Sequence, residues 1–203
     1  GVSAQVSGKV GSQKLKWFSM QGESPLHAVQ RLADRVNGLA TFKDSKLIFA
    51  ERGSGETAGG SAMAPMIIIP TMVKPGSLSV KFTERERHKK VAATFHDRDK
   101  AKREKVEVDA DDDGEATYTM RHNHANKQEA EAAAKSKAKE LERQATQTSV
   151  TIEGNPAARG GGPMSYAGIH PEADGIEFMI ENAAHTFRKG GGFTTAITAK
   201  KKV

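Results

Sequence analysis

The sequence predicts an α+β chain that is mainly β: a β-barrel or tightly curved sheet with one helix packed on its outside, plus a small helix–hairpin unit. Three observations predict it. Short runs in which apolar and polar residues alternate recur from about Ser77 onward, separated by turn residues. One alanine-rich helical pattern, 126–144, interrupts them. A capped helix followed by two strand patterns precedes them.

Residues 1–16, polar and Gly-rich between Gly1 and Gly11, are expected to be a flexible N-terminal segment or the end of a fragment of a longer chain. Residues 17–52 form the small α-β-β unit. Ser24 caps the free amides of a helix and Pro25 fits its first turn. Leu26, Val29, Leu32, Ala33 and Val36 recur at helical spacing, and Asn37-Gly38 stops the helix, with Gly38 taking the left-handed conformation. Leu39–Lys43 and Leu47–Ala50 are strands joined by a tight turn at Asp44-Ser45-Lys46. Residues 53–76 are a linker and an extended crossing segment, with Pro65, Pro70 and Pro75 and a short strand at Ile67–Ile69.

Residues 77–203 are expected to form the barrel. Its strands are marked by Leu78, Val80 and Phe82; Val91, Ala93 and Phe95; Val106 and Val108; Tyr118 and Met120; Val150 and Ile152; Ile176, Phe178 and Ile180; and Phe193, Thr195 and Ile197. Asp109–Gly114 and Gly190-Gly191-Gly192 are the strongest turns, the first expected to be an exposed acidic hairpin tip. Asn126 and Glu129 open the helix as a capping box, and Ala130, Ala133, Ala134, Ala138 and Leu141 line its inner stripe.

The composition narrows the function classes. There is no cysteine, which excludes disulfides, thiolate metal sites and cysteine nucleophiles. The longest apolar run, Met66–Ile69, is too short to span a bilayer as a helix. The net charge of +6 arises from 31 basic and 25 acidic residues that interleave, so it predicts a mixed-charge surface rather than a specific nucleic-acid partner. The basic run Arg85–Lys90 lacks the aromatic residues of a single-strand platform. Asp109–Gly114 begins like a calcium loop, but its twelfth position is Met120 where a bidentate glutamate is needed. His122 and His124 share a strand face and have no third ligand in the sequence nearby. No nucleophile motif or phosphate loop is present. No catalytic residue, cofactor or metal is therefore expected. With one Trp and two Tyr the core is expected to be thin, so that assembly supplies part of the stability. The acidic Asp109, Asp111 and Asp113 and the basic Arg85, Arg87 and Lys89 are the candidate inter-subunit contacts.

The order of segments carries a resemblance. Gln21–Pro25 followed by Leu32–Val36, the hairpin Thr41–Phe49, the strand Tyr118–His122, the Ala/Lys-rich helix Ala125–Arg143 and the hairpin Gly191–Thr195 together resemble the late control protein D family of contractile-tailed phages. That family is related to the T-even phage hub and to the type VI secretion spike hub. Two places depart from it: His124 stands where the family has an aromatic, and Gly154–Gly162 replaces a segment containing leucine and acidic residues. The resemblance implies a tail-tube-like barrel and a structural baseplate hub joining the tail tube to the central spike. Its implied partners are copies of itself in a homotrimer, the tube protein and the spike protein. Its implied location is the virion tail, with assembly in the host cytoplasm. A type VI secretion spike and the hub domain of a wall-degrading baseplate enzyme are the alternatives.

Overall fold

The computed structural model describes every residue except 1, 2, 16, 44, 58, 59, 85, 86, 98 and 99, and every side chain but those and 8, 9 and 43. In chain order the elements are β1 (Ser3–Val6), α1 (Gly8–Gly11), α2 (Pro25–Arg35), β2 (Gly38–Lys43), β3 (Lys46–Glu51), β4 (Met66–Ile68), a 3-10 turn (Pro70–Met72), β5 (Ser79–Phe82), β6 (His88–Asp97), β7 (Lys102–Asp109), β8 (Ala116–His124), α3 (Lys127–Ala145), β9 (Thr146–Glu153), β10 (Pro163–Tyr166), β11 (Phe178–Arg188) and β12 (Gly192–Lys201). The fold is mainly β, as the alternating runs predict. The chain gathers into two compact units, the first built on Gly1–Arg52 and Arg85–Glu142 and the second on Ser61–Glu84 and Arg143–Val203.

In the first unit α2 begins at Pro25, where the amide of His27 donates to Ser24 Oγ at 3.3 Å. Arg31 pairs with Glu23 and holds its carboxyl below the usual carboxylate range. The left-handed residue after the helix is Asn37 (φ 53°), not Gly38. Asparagine tolerates that conformation, while Gly38 is needed because a Cβ there would sit 3.0 Å from the Phe49 ring. The hairpin β2–β3 forms as expected, with Asp44 of its turn outside the described residues. Ser3–Val6, expected to be flexible, adds to that hairpin as a strand parallel to β3. Val10, Ala33, Val36 and Phe49 close its small core.

The same unit holds a second sheet in the order β7-β6-β8. Helix α3 lays Ala130, Ala134, Ala138 and Leu141 against Val91, Ala93, Phe95 and Val106. Alanines at those positions remove bulk between helix and sheet, so the backbones approach closely. The start of α3 keeps the cap of the expected capping box, the Glu129 amide donating to Asn126 Oδ1 at 2.9 Å, but Glu129 Oε2 accepts from the amide of Ala125, one residue before the cap, at 3.4 Å.

The second unit is a six-stranded sheet, β4-β10-β11-β12-β9-β5. In β9 and β12 the buried residues alternate, Thr146, Thr148, Val150 and Ile152 on one and Thr195, Ile197 and Ala199 on the other. The sheet curls into a half-barrel. Chain length explains why. Ile68 pairs with Tyr166 at one edge, and Val73 already bridges Ile152 next to the other. Five residues reach at most about 18 Å, whereas the edges of a flat six-stranded sheet lie about 24 Å apart. Inside the curl, Tyr166 stacks edge-on against Phe178 at 5.6 Å, and its hydroxyl lies 2.7 Å from Thr148 Oγ1. Burial pushes the Tyr166 phenol up.

The strands expected to make one barrel from Ser77 onward thus divide between two sheets, and α3 packs on the smaller. The apolar stripe of α3 is narrow and made of small residues. It fits the face of β6 formed by Val91, Ala93 and Phe95.

Candidate functional site

Of the sequence-derived contact residues, Arg85 lies outside the described residues. The structure brings Arg87, Asp111 and Asp113 together: Arg87 Nε is 3.3 Å from Asp111 Oδ2, and Arg87 Nη2 donates to Asp113 Oδ2 at 3.1 Å. The acidic tip and the basic run are each other's partners within the chain. Lys89 stays exposed, and its carbonyl accepts from the Ala110 amide at 2.9 Å. Asp109 is exposed at the end of β7, in register with Lys90.

Asp109–Gly114 is not a hairpin tip. Strands β7 and β8 lie on opposite sides of β6, antiparallel and parallel to it. The acidic segment must therefore cross over the start of β6. The crossing is tight: a Cβ on Gly114 would fall 2.5 Å from the His88 carbonyl carbon and from the Lys89 amide nitrogen. Only glycine passes there. Period-2 patterning marks strand ends but not which strands are neighbours, so the sequence left this crossover unread.

Three kinds of surface remain for partners. The first is open sheet edge. The outer edge of β7 is guarded, with six of its eight residues charged. The outer edge of β8 carries one permanent charge, Arg121. Strand β11 runs on past its short pairing with β10, which ends at Met179. From Asn182 to Phe187 it has no charged residue, and among the described residues its strand partner there is β12 alone. The second is exposed apolar side chains: Phe187 is 80% exposed near the tip of the β11–β12 hairpin, and Ile67 and Phe82 project from the edge strands β4 and β5. The tip turns through Gly190 and Gly192, both at positive φ. Beside the tip, Phe193 covers Gly154, whose amide donates to the Phe193 carbonyl at 2.8 Å. His185 Nδ1 is 3.0 Å from Thr195 Oγ1, and its Nε2 is 3.2 Å from the Ala158 carbonyl oxygen. That segment is where the sequence departs from the family it resembles, and it is ordered by these bonds. The open edge of this hairpin was missed in the sequence; the signal was the uncharged run Asn182–Phe187.

The third is a cleft of about 760 Å³ in the first unit, walled by Arg35, Asn37, Glu129, Lys135, Lys139 and His124. His124 Nε2 and Asn37 Oδ1 are closed off from solvent and have no hydrogen-bond partner among the described residues. Burial pulls the His124 imidazole below its ordinary value; Arg35 and His122 add to this and Glu129 opposes it. The hydroxyl of Ser136, also in the wall, donates to the Asp34 carbonyl at 2.9 Å. Among the described residues no three histidine or carboxylate side chains converge as a metal centre requires.

No family model matches the chain, and no curated protein matches it in sequence. Its fold does match solved structures. The prophage MuSo2 43 kDa tail protein from Shewanella oneidensis superposes with a TM-score of 0.71 at 18% identity, over 98% of this chain and 61% of that one. A tail protein from Neisseria meningitidis MC58 gives 0.66 at 12% identity, over 98% and 60%. Prophage tail protein gp18 from Listeria monocytogenes EGD-e gives 0.62 at 11% identity, over 98% and 60%. This chain therefore has a fold found in phage tail proteins and spans about three fifths of their length.

Proposed function

We propose that the chain is a structural part of a phage or phage-like tail, and within it the baseplate hub that joins the tail tube to the central spike. The observation that carries this reading is the tail-protein fold running through 98% of the chain. The ordered sequence resemblance to the late control protein D family supplies the hub and the number three. Open, lightly charged edges on two sheets fit a protein completed by neighbours, because an unguarded edge left in water invites pairing. In this reading the chain is not an enzyme, its partners are two further copies of itself, the tube protein and the spike protein, and it resides in the virion tail. The test is analytical ultracentrifugation of the full-length protein at micromolar concentration in low salt, with electron microscopy of the same sample. A homotrimer forming three-fold rings is expected. A strict monomer, with spike protein present, would overturn the hub.

A further inference from the structure

We infer that the free edge of β11, Asn182–Arg188, pairs antiparallel with the free edge of β8, Ala116–His124, of a second copy of this chain. The inference rests on the assembly reading above and names its contact. Three observations lead to it. Both edges are long enough to form a ladder, and neither has a further strand partner among the described residues. Both lack the charges that guard β7, so nothing in their composition opposes pairing. Their ends carry opposite charge left over from the fold. Among the described residues, Arg188 and Lys189 at the end of β11 make no ion pair, and neither do Asp112 and Glu115 ahead of β8, while Arg87 engages Asp111 and Asp113.

Charge also fixes the direction. Antiparallel pairing sets the end of β11 beside the start of β8, with Arg188 near Ala116 and Lys189 near Glu115. Parallel pairing would set the same cations beside Arg121 and the two histidines of β8. Complementary ends steer the encounter and exclude the wrong direction, while the backbone ladder supplies the lasting contact. The two edges are different surfaces, so the contact is head-to-tail, the kind that a ring of copies repeats, and not a self-complementary two-fold patch. Phe187, exposed in the single chain, would lie against the neighbour's edge.

The test uses the full-length protein, in two parts. Reversing Arg188→Glu and Lys189→Glu together should weaken self-association by about tenfold or more at low ionic strength. Adding Asp112→Lys and Glu115→Lys should restore it. All four side chains are exposed, so folding is not at stake, and circular dichroism checks it. The second part exploits the absence of cysteine. Lys189→Cys protein mixed with Glu115→Cys protein should give a mixed disulfide under mild oxidation, which forms only when the Cα atoms approach within about 7 Å. A trimer indifferent to all four reversals, with no mixed disulfide, would overturn this contact and leave the hub standing. A trimer that persists while the Arg188/Lys189 reversal abolishes binding of tube or spike protein would assign the β11 edge to that other partner, and overturn it equally. A wild-type protein that stays monomeric, together with cysteine variants that give no mixed disulfide, would sink both readings together.

Discussion

The two sheets of this chain are stabilised by different means. The half-barrel buries Ile68, Ile152, Met164, Tyr166, Phe178 and Ile197 almost completely, and its largest residues fill the curl. The three-stranded sheet buries Val91, Ala93 and Phe95 under a helix whose contact stripe is Ala130, Ala134 and Ala138, with Leu141 at its end. Burial free energy follows apolar area, so each contact of the alanine stripe is worth far less than those of the aromatic curl. Close helix–sheet approach and a cap hold the first; volume holds the second.

The largest expected effect tests this contrast directly. Phe178→Ala should cost about 3–5 kcal/mol, because a fully buried ring leaves a cavity that a closed curl cannot collapse. Leu141→Ala should fall near the lower end of about 2–5 kcal/mol, since a helix end can settle toward the sheet. Hydrogen exchange resolved by segment would assign each loss to its own unit. Equal losses, or a loss from Phe178→Ala that reaches the α3 amides as strongly as those of β9, would remove the distinction.

Next in size is Gly114→Ala. The added methyl meets backbone rather than a movable side chain. We expect about 1–3 kcal/mol of destabilisation from forced displacement, confined to the β7-β6-β8 sheet and read by denaturant unfolding. Gly190→Ala in the β11–β12 tip is the control. It meets nothing within 4 Å, and its cost comes from a positive φ of 82° alone. A milder effect at Gly114 than at Gly190 would mean that the crossover is looser than the structure shows.

Much of this architecture was legible in the sequence because it is local. Ser24-Pro25 and the Asn126/Glu129 box mark their helices through bonds to amides three residues away. Val150/Ile152 and Thr195/Ile197 mark their strands through period-2 burial. What was not legible is which strands meet. The runs containing Val106 and Tyr118 looked like a hairpin because only an acidic turn separates them, yet β6 lies between them. Ser3–Val6 alternates only Ala4 and Val6 with polar residues, too short a run to mark a strand, and its strand exists because β3 offers it an edge. The acidic and basic contact residues were visible as charge. That Arg87 would consume two of the carboxylates was not, because it depends on the crossover.

The smallest expected effect is a dependence on protons, and it separates the two units again. His124 sits in the wall of the first unit's cleft, and its folded pKa is lowered, first by burial and then by the Arg35 and His122 charges, against the pull of Glu129. In the unfolded chain it titrates near about 6.5. Between the lowered folded value and the ordinary one, the unfolded chain binds more protons than the folded chain. Stability must then rise with pH across that window. The contribution is present in full above the unfolded value and is lost as pH falls through the folded one. Melting followed from about pH 8 to about pH 5 should show α3 and β8 loosening first. The amides of β9, backed by Val150 and Ile152, serve as the internal reference. His124→Gln removes the titrating group while keeping a polar side chain of similar reach. It should flatten the dependence of the first unit and leave the rest of the profile in place. If the acid-induced loosening survives that substitution unchanged, some other group in the cleft carries it, and the buried imidazole is a packing residue only.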